Sequence, residues 1–330
     1  MASTSAGDGS RDAAGPYHAY MERMQCMEVW GGSQMTERSV AFGGLETWVY
    51  SRPYAGAEHG GDVYYASSCA TGRISRLLLA DVAGHGDAVA KTAAGLRSLM
   101  RKFVNRLDQA EFVRLLNQQF AAESEVGVFA TSVVTTFFAP SRRMMICNAG
   151  HPRPILYRHS GQEWTVLDGR GEDTPAGPAN LPLGLLSMTQ YEHFDIELAP
   201  GDCLLMYTDA LIESEGADGE MIGEEGVLEV VRATSAEVAP RDGSAFVKRL
   251  LERIASLYEG NFESDDVTVM LLRATGGDGS YSLGEKLEAA ARVARSVFSS
   301  EPVPFPDFSV PNVGGALLST LGKRWRAKTH

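Results

Sequence analysis

The chain has 330 residues, of which 44% are hydrophobic and 22% charged, so it has ordinary globular composition and enough length to bury a large core. Its formal net charge of −12 and isoelectric point near 5.1 argue against a nucleic-acid-binding protein, because contact with the phosphate backbone relies on clustered Lys and Arg. An acidic site that binds cations fits this balance better.

The N-terminal stretch MASTSAGDGSRDAAG lacks the basic start and apolar core of a signal peptide, and no apolar run approaches the roughly 18 residues that span a bilayer. We therefore expect a cytoplasmic protein without a transmembrane segment. The four cysteines, Cys26, Cys69, Cys147 and Cys203, form no CxxC pair, which favours neither a zinc site nor a disulfide framework.

In chain order, residues 1–16 are rich in Ser, Gly, Ala and Asp and are predicted to be disordered, whereas Tyr17–Trp30 has apolar residues at helical spacing and is predicted to contain a short helix. Short β-rich runs follow. Strands are predicted at Val40–Tyr50, Val63–Ser68, Ile74–Ala80, Thr131–Phe138, Met144–Asn148, Ile155–Tyr157, Tyr191–Leu198, Cys203–Tyr207 and Val267–Leu272. Helices are predicted at Ala88–Val104, Gln109–Glu123, Gly223–Arg232 and Ser244–Tyr258.

Strands joined by short turns indicate antiparallel sheets, and helices that occur in pairs indicate layers on those sheets. The predicted fold is therefore α+β, a β-sandwich flanked by helices. The Gly- and Pro-rich stretch Asp168–Pro182 is predicted to be a mobile surface loop. We divide the chain into an N-terminal segment (1–37), a main domain (38–273) and a C-terminal extension (274–330).

The C-terminal extension contains a linker, a predicted helix near Leu283–Phe298, a Pro-rich stretch and a basic final piece. In that final piece one helical face carries Leu317, Leu318, Leu321 and Trp325. Three interpretations stay open: docking on the acidic main domain, contact with a membrane surface or a partner such as a second copy, or a solvated tail without function.

Four short stretches place aspartates at the edge of an apolar run: HGGDVYY (Asp62), LLLADVAGHG (Asp81), LLMYTDALIE (Asp209) and ESDDVTVMLL (Asp265 and Asp266). The midpoint between Asp62 and Asp81 falls at Thr71–Gly72, which is suited to a two-residue hairpin turn, so an antiparallel hairpin would set these carboxylates side by side. Antiparallel pairing would likewise bring Asp209 and Asp265 to one end of a sheet.

Carboxylates at such short range repel one another, and divalent cations remove that conflict. Oxygen ligands without His or Cys select Mg²⁺, Mn²⁺ or Ca²⁺ over zinc. Two ions about 3.5 to 4 Å apart can activate a water molecule for phosphoryl transfer. For each aspartate alone, turn chemistry is the simpler interpretation, whereas the four together favour a metal site.

These motifs, quoted in order, resemble the SpoIIE/RsbU-like branch of the metal-dependent (PPM, type-2C) Ser/Thr protein phosphatases. The matching text is GGD at 60–62, DVAGHG at 81–86, NAGHPRP at 148–154, LPLG at 181–184, PGDCLLMYTDALIE at 200–213 and DDVTVMLLR at 265–273. The resemblance implies a four-layer αββα sandwich of two mainly antiparallel sheets, with two Mn²⁺ or Mg²⁺ ions at one edge.

Position by position, the resemblance implies that Asp81 bridges both ions, that Asp62 and the backbone carbonyl of Val82 serve the first ion, and that Asp209 and Asp265 hold the second. Asp266 matches a position that ligates less clearly, and capping of the strand is its alternative role. His85 is a candidate general acid, and turn packing is its alternative role. For His151 we favour turn packing.

The function implied is hydrolysis of phosphoserine or phosphothreonine in a phosphorylated protein, a STAS-type anti-sigma-factor antagonist by analogy. A pseudo-phosphatase that only binds phosphoproteins is the alternative, and it would predict loss of an aspartate, which is not seen. A calcium-binding structural protein would require a DxDxDG loop, which is absent. Because only residues 1–37 precede the match, where relatives often have a sensor domain, we expect regulatory input from a partner or from the chain ends.

Overall fold

The computed structural model describes residues 21–24, 29–69, 72–84, 87–103, 106, 108–169 and 179–277. Three predicted features lie outside these ranges and stay predictions: the disorder of residues 1–16, the central part of the loop Asp168–Pro182, and nearly all of the C-terminal extension. Within these ranges, no helix has the length and apolar character that crossing a membrane requires.

Strands and helices alternate along the described chain in groups. The strands are β1 (Glu22–Arg23), β2 (Val29–Gly32), β3 (Thr36–Phe42), β4 (Leu45–Arg52), β5 (Asp62–Ser68), β6 (Ile74–Val82), β7 (Ala130–Phe138), β8 (Arg143–Ala149), β9 (Ile155–Arg158), β10 (Glu163–Val166), β11 (Phe194–Glu197), β12 (Cys203–Tyr207) and β13 (Val267–Ala274). The α-helices are α1 (Asp87–Phe103), α2 (Gln109–Glu123), α3 (Gly223–Ser235) and α4 (Gly243–Ala255).

Two sheets pack face to face. One has seven strands in the order β1-β3-β4-β13-β12-β9-β10, and the other has six in the order β11-β8-β7-β6-β5-β2. Of the strand pairs described, β1 with β3 is parallel and the others are antiparallel. The prediction of two mainly antiparallel sheets is confirmed.

The alternation of side chains along each strand builds the layers, because successive residues point to opposite faces. In β6, Leu77 and Leu79 lie in the core between the sheets, whereas Leu78 and Ala80 pack with residues of α1 and α2. In the seven-stranded sheet, β12 divides its residues in the same way between the central core and the layer of α3 and α4. Helices therefore cover both outer faces, and the predicted αββα sandwich is confirmed.

Local sequence accounts for the helix that was predicted best. The side chain of Asp108 accepts a hydrogen bond from the N–H of Glu111 at 2.8 Å and so caps the first turn of α2. Phe112, Leu116 and Phe120 are then buried at helical spacing. The observed limits, Gln109–Glu123, are the predicted ones.

The helix predicted at Tyr17–Trp30 is wrong in the part of this segment that is described. Glu22–Arg23 pairs with β3, and β2 pairs with β5. Met21 packs on the helix side of the seven-stranded sheet and Met24 in the core between the sheets. Residues three apart lie near one another on a helix but on opposite faces of a strand, so this spacing is compatible with both structures. Pairing with the sheet favours the strand here.

Three further details differ from the prediction. The run Val40–Tyr50 is divided into β3 and β4 by a turn in which Gly44 has a φ of +81°. The short strand β10 was not predicted, because its four residues EWTV carry too weak an alternation. Strand β11 covers only Phe194–Glu197 of the predicted Tyr191–Leu198.

The contact between α4 and the seven-stranded sheet can be tested with a glycine. A Cβ at Gly243 would overlap the ring of Trp48, whereas one at Gly95, inside α1, meets no atom within 4 Å. We expect Gly243→Ala to lower the free energy of unfolding by about 1–3 kcal/mol through overpacking, and Gly95→Ala to raise it by about 0.5–1 kcal/mol through helix propensity. Urea denaturation measures both; equal effects would contradict the packing of α4 on Trp48.

Candidate metal centre

Asp62 and Asp81 lie directly opposite each other at the open end of the β5–β6 hairpin. The antiparallel register pairs their Cα atoms, with Asp62 at the start of β5 and Asp81 near the end of β6. Asp62 is 2% exposed, and Asp81 is partly buried. The pairing predicted from the sequence is confirmed.

The turn of that hairpin is longer than predicted. Cys69 and Ile74 still pair, since Cys69 N–H donates to the Ile74 carbonyl at 2.9 Å. The connection therefore contains four residues instead of two, and two of them lie outside the described ranges. The register is unchanged because the longer loop has the same midpoint as the predicted turn.

Asp209 and Asp265 reach the same edge from the seven-stranded sheet. Strands β12 and β13 are antiparallel, so the end of β12 at Tyr207 lies beside the start of β13 at Val267. Asp209 begins the short 3-10 turn that follows β12, and Asp265 shortly precedes β13. Each of them raises the pKa of Asp81 through its charge, as expected of carboxylates at the same edge.

A chain of hydroxyl groups joins the two sheets at this edge. The Thr208 Oγ1 donates to Asp62 Oδ2 at 2.9 Å and accepts from the Thr268 N–H at 3.0 Å. The Thr268 and Ser51 hydroxyls lie 2.9 Å apart. Thr208 was not singled out from the sequence, where its one signal is its position directly before Asp209. In the structure its hydrogen bond orients the Asp62 carboxylate.

Burial and mutual repulsion make the cluster electrostatically unfavourable when it is charged. Burial raises the pKa of Asp62 well above its ordinary value, and the neighbouring Asp81 raises it further. Burial also raises the pKa of Asp81 to about 8. The groups that add to this second rise are all carboxylates: Asp209, Asp265, Asp266 and Glu213.

Glu213 is a member of this cluster that the sequence did not single out. After burial, it is the main cause that raises the pKa of Asp209. Its N–H donates to the Asp209 carbonyl at 2.9 Å, so the turn after β12 places it one helical turn beyond Asp209. The spacing of four residues was the available signal.

The donor set fits divalent cations of the Mg²⁺ and Mn²⁺ type. It consists of carboxylate oxygens whose repulsion a cation would relieve. Among the described residues, no three Asp, Glu, His or Cys side chains already close on one ion. The case for a cation therefore rests on the chemistry of the donor set and on its repulsion, which a cation would lower.

The backbone carbonyl of Val82 is accessible to the loop that carries Asp62. The Val82 N–H donates to the Gly61 carbonyl at 3.3 Å, and a Cβ at Gly61 would lie 2.9 Å from the Val82 oxygen. Only glycine permits this approach. The Val82 carbonyl thus lies beside the GGD loop, and its role as an ion ligand stays a prediction.

The two motif histidines have different outcomes. His85 lies outside the described residues, so its role as general acid stays a prediction. His151 is 5% exposed, its Nδ1 is 2.7 Å from the Thr131 hydroxyl, and its main chain is tied to the Asn148 side chain. Burial lowers the pKa of His151 to about 3. It is neutral at pH 7 and packs the turn, as favoured from the sequence.

With this geometry in place, comparison with known proteins identifies the class. The structure is similar to the RsbU and RsbW domains of a Mycobacterium tuberculosis protein, with a TM-score of 0.58 and 21% identity over 80% of this chain and 72% of that one. It is also similar to the PP2C phosphatase domain with part of the regulatory domain of SpoIIE from Bacillus subtilis, with a TM-score of 0.55 and 16% identity over 76% of this chain and 64% of that one.

A third similar structure is RsbX in complex with magnesium, with a TM-score of 0.51 and 16% identity over 73% of this chain and all of that one, 100%. The fold is therefore that of a PPM-type Ser/Thr protein phosphatase domain. The family model of Stage II sporulation protein E (SpoIIE) matches residues 72–275. The chain belongs to the SpoIIE family.

The raised pKa of Asp81 gives a prediction for the metal-free protein. The folded state holds this proton up to about pH 8, whereas the ordinary value is 3.8, so its stabilising effect is complete below pH 3.8 and is lost as the pH rises towards 8. We expect Asp81→Asn to raise the melting temperature at pH 8 in chelator and to flatten its fall with pH. Asp195→Asn, on β11, is the control, and a less stable Asp81→Asn at pH 8 would contradict the cluster electrostatics.

Proposed function

We propose that the chain hydrolyses phosphoserine or phosphothreonine in another protein with two Mn²⁺ or Mg²⁺ ions. The observation that carries the proposal is that Asp62 and Asp81 from one sheet and Asp209 and Asp265 from the other lie at one edge of the sandwich, where the repulsion among them raises the pKa of Asp81. Membership of the SpoIIE family and the likeness to a magnesium-bound RsbX support it.

In this proposal each protein group has a defined task. Asp81 would contact both ions, Asp62 and the Val82 carbonyl would serve the first, and Asp209 and Asp265 would hold the second. When bound, the ions supply an activated water and offset the charge of the phosphate. Thr208 keeps the Asp62 carboxylate in a fixed orientation. Because His151 is buried and neutral at pH 7, it does not act as the general acid. The leaving oxygen is therefore protonated by water or by His85.

The substrate that we propose is a phosphorylated STAS-type anti-sigma-factor antagonist in a bacterial partner-switching pathway, and the location is the cytoplasm. The similarity to a protein with RsbU and RsbW domains supports this choice. We also propose residues 38–273 as the catalytic domain. The family match over residues 72–275 supports most of that span. Strands β1 and β2 and the first residues of β3 lie before residue 38 and also belong to the sheets.

The first test is metal dependence. We expect hydrolysis of p-nitrophenyl phosphate to require Mn²⁺ or Mg²⁺ and to stop with chelator, because the ions would supply the activated water. Activity that survives chelator would refute the mechanism. Absence of turnover with retained binding of a phosphoprotein would instead favour the pseudo-phosphatase.

The second test removes one proposed ligand while keeping its shape. We expect Asp209→Asn to lower the metal-dependent rate more than tenfold, a loss above about 1.4 kcal/mol of transition-state stabilisation. Circular dichroism checks that the fold is retained, and Asp195→Asn should keep the wild-type rate. A residual rate above a tenth of wild type would show that Asp209 is not a ligand.

A further inference from the structure

Asp266 forms a hub of backbone hydrogen bonds beside the metal centre. It is 7% exposed. Its Oδ1 accepts from the Tyr54 N–H at 2.6 Å, and its Oδ2 accepts from the N–H groups of Gly61 and of Asp62, the latter at 3.3 Å. One carboxylate on the seven-stranded sheet therefore holds the segment that leads into β5 on the other sheet.

The two glycines of the GGD motif fit around this carboxylate. A Cβ at Gly60 would overlap the Asp266 carboxyl group, and one at Gly61 would lie 3.5 Å from its Oδ2 and 2.9 Å from the Val82 oxygen. The main chain thus approaches Asp266 and Val82 at once. The motif glycines are explained by this approach and not by a positive φ, which neither residue has.

The bonds leave Asp266 little capacity to bind an ion. A carboxylate oxygen has about two lone-pair sites, and Oδ2 already accepts from two donors. The adjacent Asp265 accepts from the Asp266 N–H at 2.7 Å. The backbone hydrogen bonds of the Asp266 carboxylate to Tyr54, Gly61 and Asp62 indicate that it holds the main chain.

We propose that Asp266 is a positioning residue that fixes the GGD loop, and through it Asp62 and the Val82 carbonyl, in place for the metal. This inference rests on the proposed two-metal function. It separates Asp266 from the ligands, a distinction that the sequence left open.

The test compares Asp266→Asn with Asp202→Asn. Asp202 is also buried, at 2% exposure, and accepts backbone bonds from Ala199 and His159, but it lies at the opposite end of β12 from Asp209. Asparagine keeps the shape and replaces one accepting oxygen with an NH₂ group, which would face an N–H donor. Mn²⁺ affinity is measured by calorimetry and stability by melting in chelator.

We expect Asp266→Asn to weaken Mn²⁺ binding at least about tenfold, as loss of an outer-shell partner does, and to lower the melting temperature in chelator. Asp202→Asn should lower the melting temperature and leave Mn²⁺ affinity within about twofold, because it removes similar bonds away from the site. The size of the loss separates positioning from ligation, since loss of an outer-shell partner costs about 10–100-fold in metal affinity, whereas Asp209→Asn, which removes a proposed ligand, should weaken Mn²⁺ binding further.

Unchanged Mn²⁺ affinity in Asp266→Asn would overturn the positioning role, and a loss as large as that of Asp209→Asn would assign Asp266 as a ligand instead. If wild-type protein bound no Mn²⁺, the proposed function itself would fail. Should Asp266→Asn not fold, Gly60→Ala decides, because its methyl displaces the carboxylate without changing its charge. It should weaken Mn²⁺ binding similarly, and wild-type affinity there would refute the proposal.

Discussion

Repulsion among buried carboxylates is the constraint on which the edge of this sandwich depends. Two antiparallel pairings, β5 with β6 and β12 with β13, bring aspartates from both sheets to one place. Their burial and mutual repulsion raise the pKa values of Asp62 and Asp81. Strongly shifted pKa values of this kind are typical of functional sites. The surrounding architecture can be understood as what holds these charges at close range.

Two kinds of support hold the cluster. The interleaved faces of the sheets form a continuous apolar core that fixes how the strand ends meet. Polar contacts between the sheets then set the local geometry: Thr208 reaches Asp62, and Asp266 reaches the GGD loop. The apolar core supplies most of the stability, and these few bonds supply the precision that a metal site needs.

The sequence predicted what depends on pattern along the chain. The Asp62–Asp81 pairing was predicted from the midpoint between the two residues. Because the longer loop has the same midpoint as the predicted turn, the error in turn length did not change the register. Strands β1 and β2 were missed because they form by pairing with distant residues, against a local pattern that favours a helix. The contacts of Thr208 with Asp62 and of Asp266 with the GGD loop could not be predicted, since each depends on how one sheet is placed on the other. Glu213 could have been found from its spacing of four residues after Asp209.

Repulsion among the carboxylates connects folding with metal binding. Ion binding would offset repulsion that the folded chain contains, and it would stabilise the fold as RT ln(1 + [L]/Kd). The hydrogen bonds of Asp266 act in the same direction: they hold the GGD loop beside Asp62, so less ordering of this loop would oppose ion binding.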